Sequence, residues 1–103
     1  MEFERQLEKR CRPIERRVLK QYIAYRANGN FATVVQRQKH LLVYLHLHPD
    51  AACLPPGLGR SVLGRAHLGT GDVEVTVRTP ADLEGAMPFV EAAWRAALLR
   101  AES

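Results

Sequence analysis

Gln21-Tyr22-Ile23-Ala24-Tyr25-Arg26-Ala27-Asn28-Gly29-Asn30-Phe31-Ala32-Thr33-Val34-Val35-Gln36-Arg37 reads as two strands joined by a turn. Ile23 and Tyr25 alternate with Tyr22, Ala24 and Arg26, the period of two that a half-buried strand shows. Asn28-Gly29 follows. This pair is the strongest short hairpin signal, because a tight hairpin turn needs positive φ at its centre, which asparagine tolerates and glycine adopts freely. The returning strand is expected over residues 31–37. A turn at Gln38-Lys39 then starts a third strand over residues 41–47, with Leu41, Val43, Leu45 and Leu47 on one face and Leu42, Tyr44, His46 and His48 on the other.

Downstream, residues 49–59 contain Pro55-Pro56-Gly57 and are expected to form a long loop, since that run suits neither a helix nor a central strand. Arg65-Ala66-His67-Leu68-Gly69-Thr70-Gly71-Asp72 then leads into a strand over residues 72–78. There Val73, Val75 and Val77 point inward, while Asp72, Glu74, Thr76 and Arg78 point outward. Thr79-Pro80-Ala81-Asp82 starts a helix: Thr79 caps it, Pro80 takes the first helical position and Asp82 suits the positive end. That helix runs to about residue 100 with Leu83, Met87, Val90, Trp94 and Leu98 as its buried stripe and Pro88 as a kink.

Upstream, Phe3, Leu7, Cys11, Ile14 and Val18 recur at helical spacing. Pro13 interrupts them, so one helix is expected to end near Cys11 and a second to begin at Pro13. The pattern as a whole predicts an α+β domain over residues 1–103: a single antiparallel sheet of about four to five strands, with the N-terminal and C-terminal helices packed on one face.

The 103 residues carry a formal charge of +4, unevenly placed. Residues 1–40 hold ten Lys/Arg against four Glu, a net of +6, and the remainder nets −2. At about 100° per residue, Arg5, Lys9, Arg12, Arg16 and Lys20 fall opposite the apolar stripe of the first segment, with Glu4, Glu8 and Glu15 at their flank. Together with Arg26, Arg37 and Lys39 they make a candidate nucleic-acid contact surface. Tyr22, Tyr25, Phe31 and Tyr44 offer aromatic surface for base stacking beside them.

A second candidate is the loop around Gly69 and Gly71, where successive backbone N–H groups could form an anion nest edged by Arg60, Arg65, His67 and Asp72. Phosphate cradles usually feed a helix, whereas this turn feeds a strand, so its glycines read first as turn formers. His46 and His48 share a strand face and Asp50, Cys53 and His67 could approach them, but a His-x-His pair on a polar face has low specificity for metal. No metal site and no cofactor is expected. Gly-x-Ser-x-Gly, His-Glu-x-x-His and Walker-type patterns are all missing, so the chain is not expected to be an enzyme. Cys11 and Cys53 read as free thiols, and no apolar stretch reaches the roughly 18 residues of a membrane span. A cytoplasmic protein is expected, monomeric or weakly dimeric, whose partner is nucleic acid or another protein and not a membrane.

Tyr22-Ile23-Ala24-Tyr25, Asn30-Phe31-Ala32-Thr33-Val34, Leu45-His46-Leu47-His48-Pro49-Asp50, Gly69-Thr70-Gly71-Asp72-Val73-Glu74-Val75 and the closing Ala-rich helix, in that order, resemble the bacterial domain of unknown function 5655 from about Leu7 to Trp94. Members of that family are labelled predicted transport proteins in some genomes. They look like C-terminal appendages of other domains, some nuclease-like. The resemblance implies a nucleic-acid-associated accessory role and supplies no catalytic residues. The alternative is a protein-interaction or small-ligand module using a sheet edge or the loop from Gly69 to Asp72.

Overall fold

In the computed structural model the chain is described over residues 2–12, 14–27, 29–47, 58–62 and 72–102, with side chains as far as residue 99. The elements are α1 (Glu2–Arg10), β1 (Glu15–Val18), β2 (Ile23–Arg26), β3 (Asn30–Gln36), β4 (Leu41–Leu45), β5 (Gly59–Ser61), β6 (Val73–Val77) and α2 (Pro80–Glu102). The strands form one antiparallel sheet in the order β1-β2-β3-β4-β6-β5, six strands where the sequence led us to expect four or five.

The β2–β3 hairpin forms as its sequence predicts, with Gly29 at φ 117°. Its register is irregular: Tyr25 pairs with Ala32 and Arg26 with Asn30, which leaves Phe31 as the extra residue of β3. Such a bulge re-aims side chains. Phe31 joins the same core as Ala32 and Val34.

Two expectations are corrected. Residues 15–18 are a strand, not the start of a second helix. Ile14 and Val18 are four apart and imitate a helical stripe, yet Val18 is 60% exposed and nothing is buried along β1. Pairing with β2, from Glu15↔Arg26 to Val18↔Ile23, holds the strand in place. The other correction concerns the end of the expected loop. Residues 59–61 form β5, which pairs Gly59↔Val75 and Ser61↔Val73 along the far edge of the sheet.

Both helices cover one face. Phe3 and Leu7 from α1, with Cys11 just beyond it, meet Leu83, Ala86, Met87, Val90, Ala93 and Ala97 from α2 over Val34, Val43, Leu45, Val73 and Val75. The α2 seam is narrower than its large residues suggested, since Trp94 and Leu98 are only half-buried while Ala86, Ala93 and Ala97 are fully enclosed. Small side chains let the helix axis approach the sheet closely. Thr79 Oγ1 accepts the Asp82 N–H at 3.1 Å, and Asp82 Oδ2 accepts the Arg78 N–H at 3.0 Å, so the expected cap is present. The helix continues through Pro88, which is exposed.

Candidate functional site

The register carries one row of side chains across all six strands: Arg17↔Ala24, Ala24↔Thr33, Thr33↔Tyr44, Tyr44↔Glu74 and Glu74↔Arg60. Residues two apart on a strand share a face. This row therefore lies on the face away from the helices, where Val35, Tyr44 and Val62 form a second cluster with Tyr22 and Leu42. The middle of the row, Ala24, Thr33 and Tyr44, is buried, while Arg17 and Arg60 at its two ends are exposed.

Glu74 points outward as expected, yet it is buried there. It is 8% exposed. The Tyr44 hydroxyl donates to its Oε2 at 2.8 Å, and the Arg60 Nε donates to its Oε1 at 2.9 Å. Both oxygens of this carboxylate are occupied, one by each register neighbour. Burial is the first cause that pushes the Tyr44 hydroxyl up to about 12; the hydrogen bond to Glu74 and its charge add to it, and Arg37 and Arg60 oppose it.

Beside this trio lies a cleft of about 530 Å³ lined by His40, Leu42, Leu58, Gly59, Arg60, Glu74, Thr76 and Arg78. At the same end of the sheet His40 and Arg78 also line a second cleft of about 350 Å³, shared with Arg37, Lys39, Leu41 and the first residues of both helices. Antiparallel order explains the convergence. The β1–β2 turn with Lys20, the β3–β4 turn with Arg37 and Lys39, and the exit of β6 at Arg78 all fall at one end of the sheet. Neighbouring strands are about 4.8 Å apart, so these cations span about 15–20 Å. Along the β1 edge of the sheet, Arg17, Leu19, Tyr22 and Arg26 line a groove of about 420 Å³.

The basic ridge expected along the helical N-terminal segment is not continuous. Arg5, Lys9 and Arg12 lie on or just beyond α1, but Arg16 is on β1 and Lys20 is in the following turn. Two of its five cations also face a carboxylate. Arg5 pairs with Glu2 at 3.4 Å, Arg16 Nε with Glu4 Oε1, and Arg12 Nε donates to the Glu8 carbonyl at 2.7 Å. Lys9, Arg12, Arg17, Lys20, Arg26, Arg37, Lys39 and Arg78 have no carboxylate partner among the described residues.

The stacking candidates divide by burial. Tyr25 and Phe31 are fully enclosed, the Tyr25 ring 5.9 Å from that of Phe3 and its hydroxyl donating to Glu4 Oε1 at 3.0 Å. Tyr44 is committed to Glu74, which leaves half-buried Tyr22 beside Arg17 and Arg26. Of the loop candidates, Arg60 and Asp72 are described, the Asp72 carbonyl accepting the Val62 N–H at 2.9 Å. Arg65, His67, Gly69 and Gly71 lie outside the described residues, as do His48, Asp50 and Cys53. His46 is exposed with Nδ1 3.3 Å from the Asn30 carbonyl, and no group of His, Cys, Asp and Glu among the described residues could hold a metal ion. No described helix is long and apolar enough to cross a membrane.

A curated relative, an uncharacterised protein of Haemophilus influenzae, is 31% identical to the chain over 80 residues. The match covers 78% of this chain and 26% of the relative's own length. No family model matches the chain, and no solved structure matches it.

The residue that sequence reasoning missed is Glu74. Alternation did put Tyr44 and Glu74 on one face of their strands, but neither their pairing nor the edge strand that brings Arg60 to Glu74 is readable without the register.

Proposed function

We propose that this domain is a non-enzymatic accessory module that contacts nucleic acid, and that its contact surface is the sheet end carrying Lys20, Arg37, Lys39 and Arg78. The observation that carries this reading is the convergence of these cations, without carboxylate partners among the described residues, on one end of the sheet. A duplex presents one phosphate charge per about 1.7 Å, so a strip of about 15–20 Å meets several phosphates. The resemblance to the domain of unknown function 5655 implies such an accessory role, and a relative about four times as long as the matched segment leaves room for a module that sits beside others.

The test is fluorescence anisotropy with single-stranded and duplex oligonucleotides across a salt series. Arg37→Glu with Lys39→Glu is expected to weaken binding at least tenfold and to flatten the salt slope by about 1.4 to 1.8, two phosphate contacts' worth. Arg5→Glu with Lys9→Glu is expected to change it little. Absence of binding at low salt, or equal losses from both pairs, would overturn the proposal.

A second reading rests on β1, whose four residues are all exposed along a sheet edge that no further strand covers among the described residues. Such an edge offers N–H and C=O groups to an extended segment of a partner protein. Its charged side chains, Glu15, Arg16 and Arg17, disfavour indiscriminate pairing.

A further inference from the structure

We propose that the cleft between β4, β6 and β5 is a binding site for a single phosphoryl group, gripped by Arg60 and Arg78. This goes beyond nucleic-acid contact and does not rest on it. Arg60 is the anchor because it is held from behind. Its Nε donates to Glu74, and Glu74 is fixed on its other oxygen by the Tyr44 hydroxyl. Only Nε is engaged in that contact, so the two terminal nitrogens of the guanidinium are without a partner among the described residues.

A guanidinium anchored in this way presents a planar pair of N–H donors that matches two oxygens of a phosphate. Preorganisation by a second layer of hydrogen bonds is what keeps such a grip precise. Arg78, His40 and Thr76 line the same cleft and supply a second cation and further polar atoms. Glu74 does not make the cleft acidic. Its charge is answered by Arg60, while Arg78, and Arg37 close enough to act on Tyr44, leave the surroundings net positive. The cleft volume of about 530 Å³ is ample for a phosphoryl group with part of the molecule that bears it.

The experiment is a two-dimensional amide NMR titration of the whole chain with inorganic phosphate against sodium chloride at matched ionic strength. Saturable shifts are expected at Gly59, Arg60, Glu74, Thr76 and Arg78 with phosphate and not with chloride. Arg60→Lys keeps a cation for Glu74 but removes the two-nitrogen fork, and should weaken binding about tenfold, the equivalent of one charged hydrogen bond. Tyr44→Phe, which leaves every cleft-lining side chain in place, should weaken it severalfold by loosening Glu74 and Arg60. Thermal melting of each variant separates loss of the site from loss of the fold.

The source of the phosphoryl group is read from a second arm, using one oligonucleotide with a 5′-phosphate or a 5′-hydroxyl. Tighter binding of the phosphorylated form, displaced by inorganic phosphate, identifies a terminal phosphomonoester. Equal binding of the two forms, both displaced, identifies backbone phosphates. Phosphate binding without oligonucleotide binding identifies a small phosphorylated molecule; it sustains this site while overturning the nucleic-acid reading. Shifts that do not saturate, or that persist unchanged in folded Arg60→Lys and Tyr44→Phe, would overturn the proposal.

Discussion

Tyr44, Glu74 and Arg60 sit side by side on β4, β6 and β5, and the register alone brings them together. Tyr44 holds its proton more tightly in the fold than in the unfolded chain, where a tyrosine titrates near 10.0. Burial pushes Cys11 up in the same way, from 9.0 to about 11, with Glu91 adding to the shift and Arg95 and Arg10 opposing it. Tyr25 is raised as well, by its burial and then by its hydrogen bond to Glu4. For a raised pKa the folded state binds the extra proton, so the stability it contributes is complete below the unfolded value and is lost as pH climbs through the folded one. Urea unfolding at stepped pH should therefore show stability falling from about pH 9 to about pH 12, with Tyr44→Phe flattening the upper part of the fall. A stability that held level or rose across that window would contradict this account of the buried groups.

Among the elements, those that bury one face of a pattern were readable and those that bury neither were not. The β2–β3 hairpin, β4, β6 and α2 follow from alternation, Asn28-Gly29 and the Thr79 cap. β1 escaped because Glu15, Arg16, Arg17 and Val18 are all exposed, which leaves no alternation to see. β5 escaped because Gly59, Arg60 and Ser61 join the sheet with no buried side chain to mark a face. The candidate site was lost with them: its anchoring arginine lies on the unread strand, and two of the five cations assigned to the N-terminal helical segment, Arg16 and Lys20, belong to a strand and a turn. Two glycines show how element context sets the sign of a substitution. Gly29 holds φ 117° with nothing within 4 Å of an added Cβ, so Gly29→Ala should cost about 1–2 kcal/mol through the backbone alone. Gly85 is inside α2 and a Cβ there meets only Leu58 Cδ2 at 3.7 Å, an ordinary contact, so Gly85→Ala should stabilise by about 0.5–1 kcal/mol. Thermal melting of the two variants should move in opposite directions.

Across the whole molecule, the layout sets a gradient of stability that bears on how a partner could be recruited. β3 and β4 have a strand on each side and α2 packed over them, whereas β1 and β5 have one neighbour each and few buried side chains. β1 is further tied to the helix layer by the Glu4 carboxylate, which contacts Arg16 and accepts from Tyr25. That contact includes an exposed arginine and contributes about 0–1 kcal/mol, too little to make the edge as stable as the centre. Local opening follows buried contacts and paired backbone, so the edges should open without unfolding the core. Native-state hydrogen exchange is expected to be slowest for the amides of Val34, Val43 and Val75, reporting global unfolding, and at least tenfold faster for the paired amides of β1 and β5. Glu4→Gln should speed exchange in β1 and leave the β5 amides unchanged, because β5 lies at the opposite edge of the sheet and makes no contact with Glu4 among the described residues. If the β1 amides instead exchange as slowly as those of β3, the edge is locked into the global unit, and a partner segment would have to add to it as it stands without first displacing it.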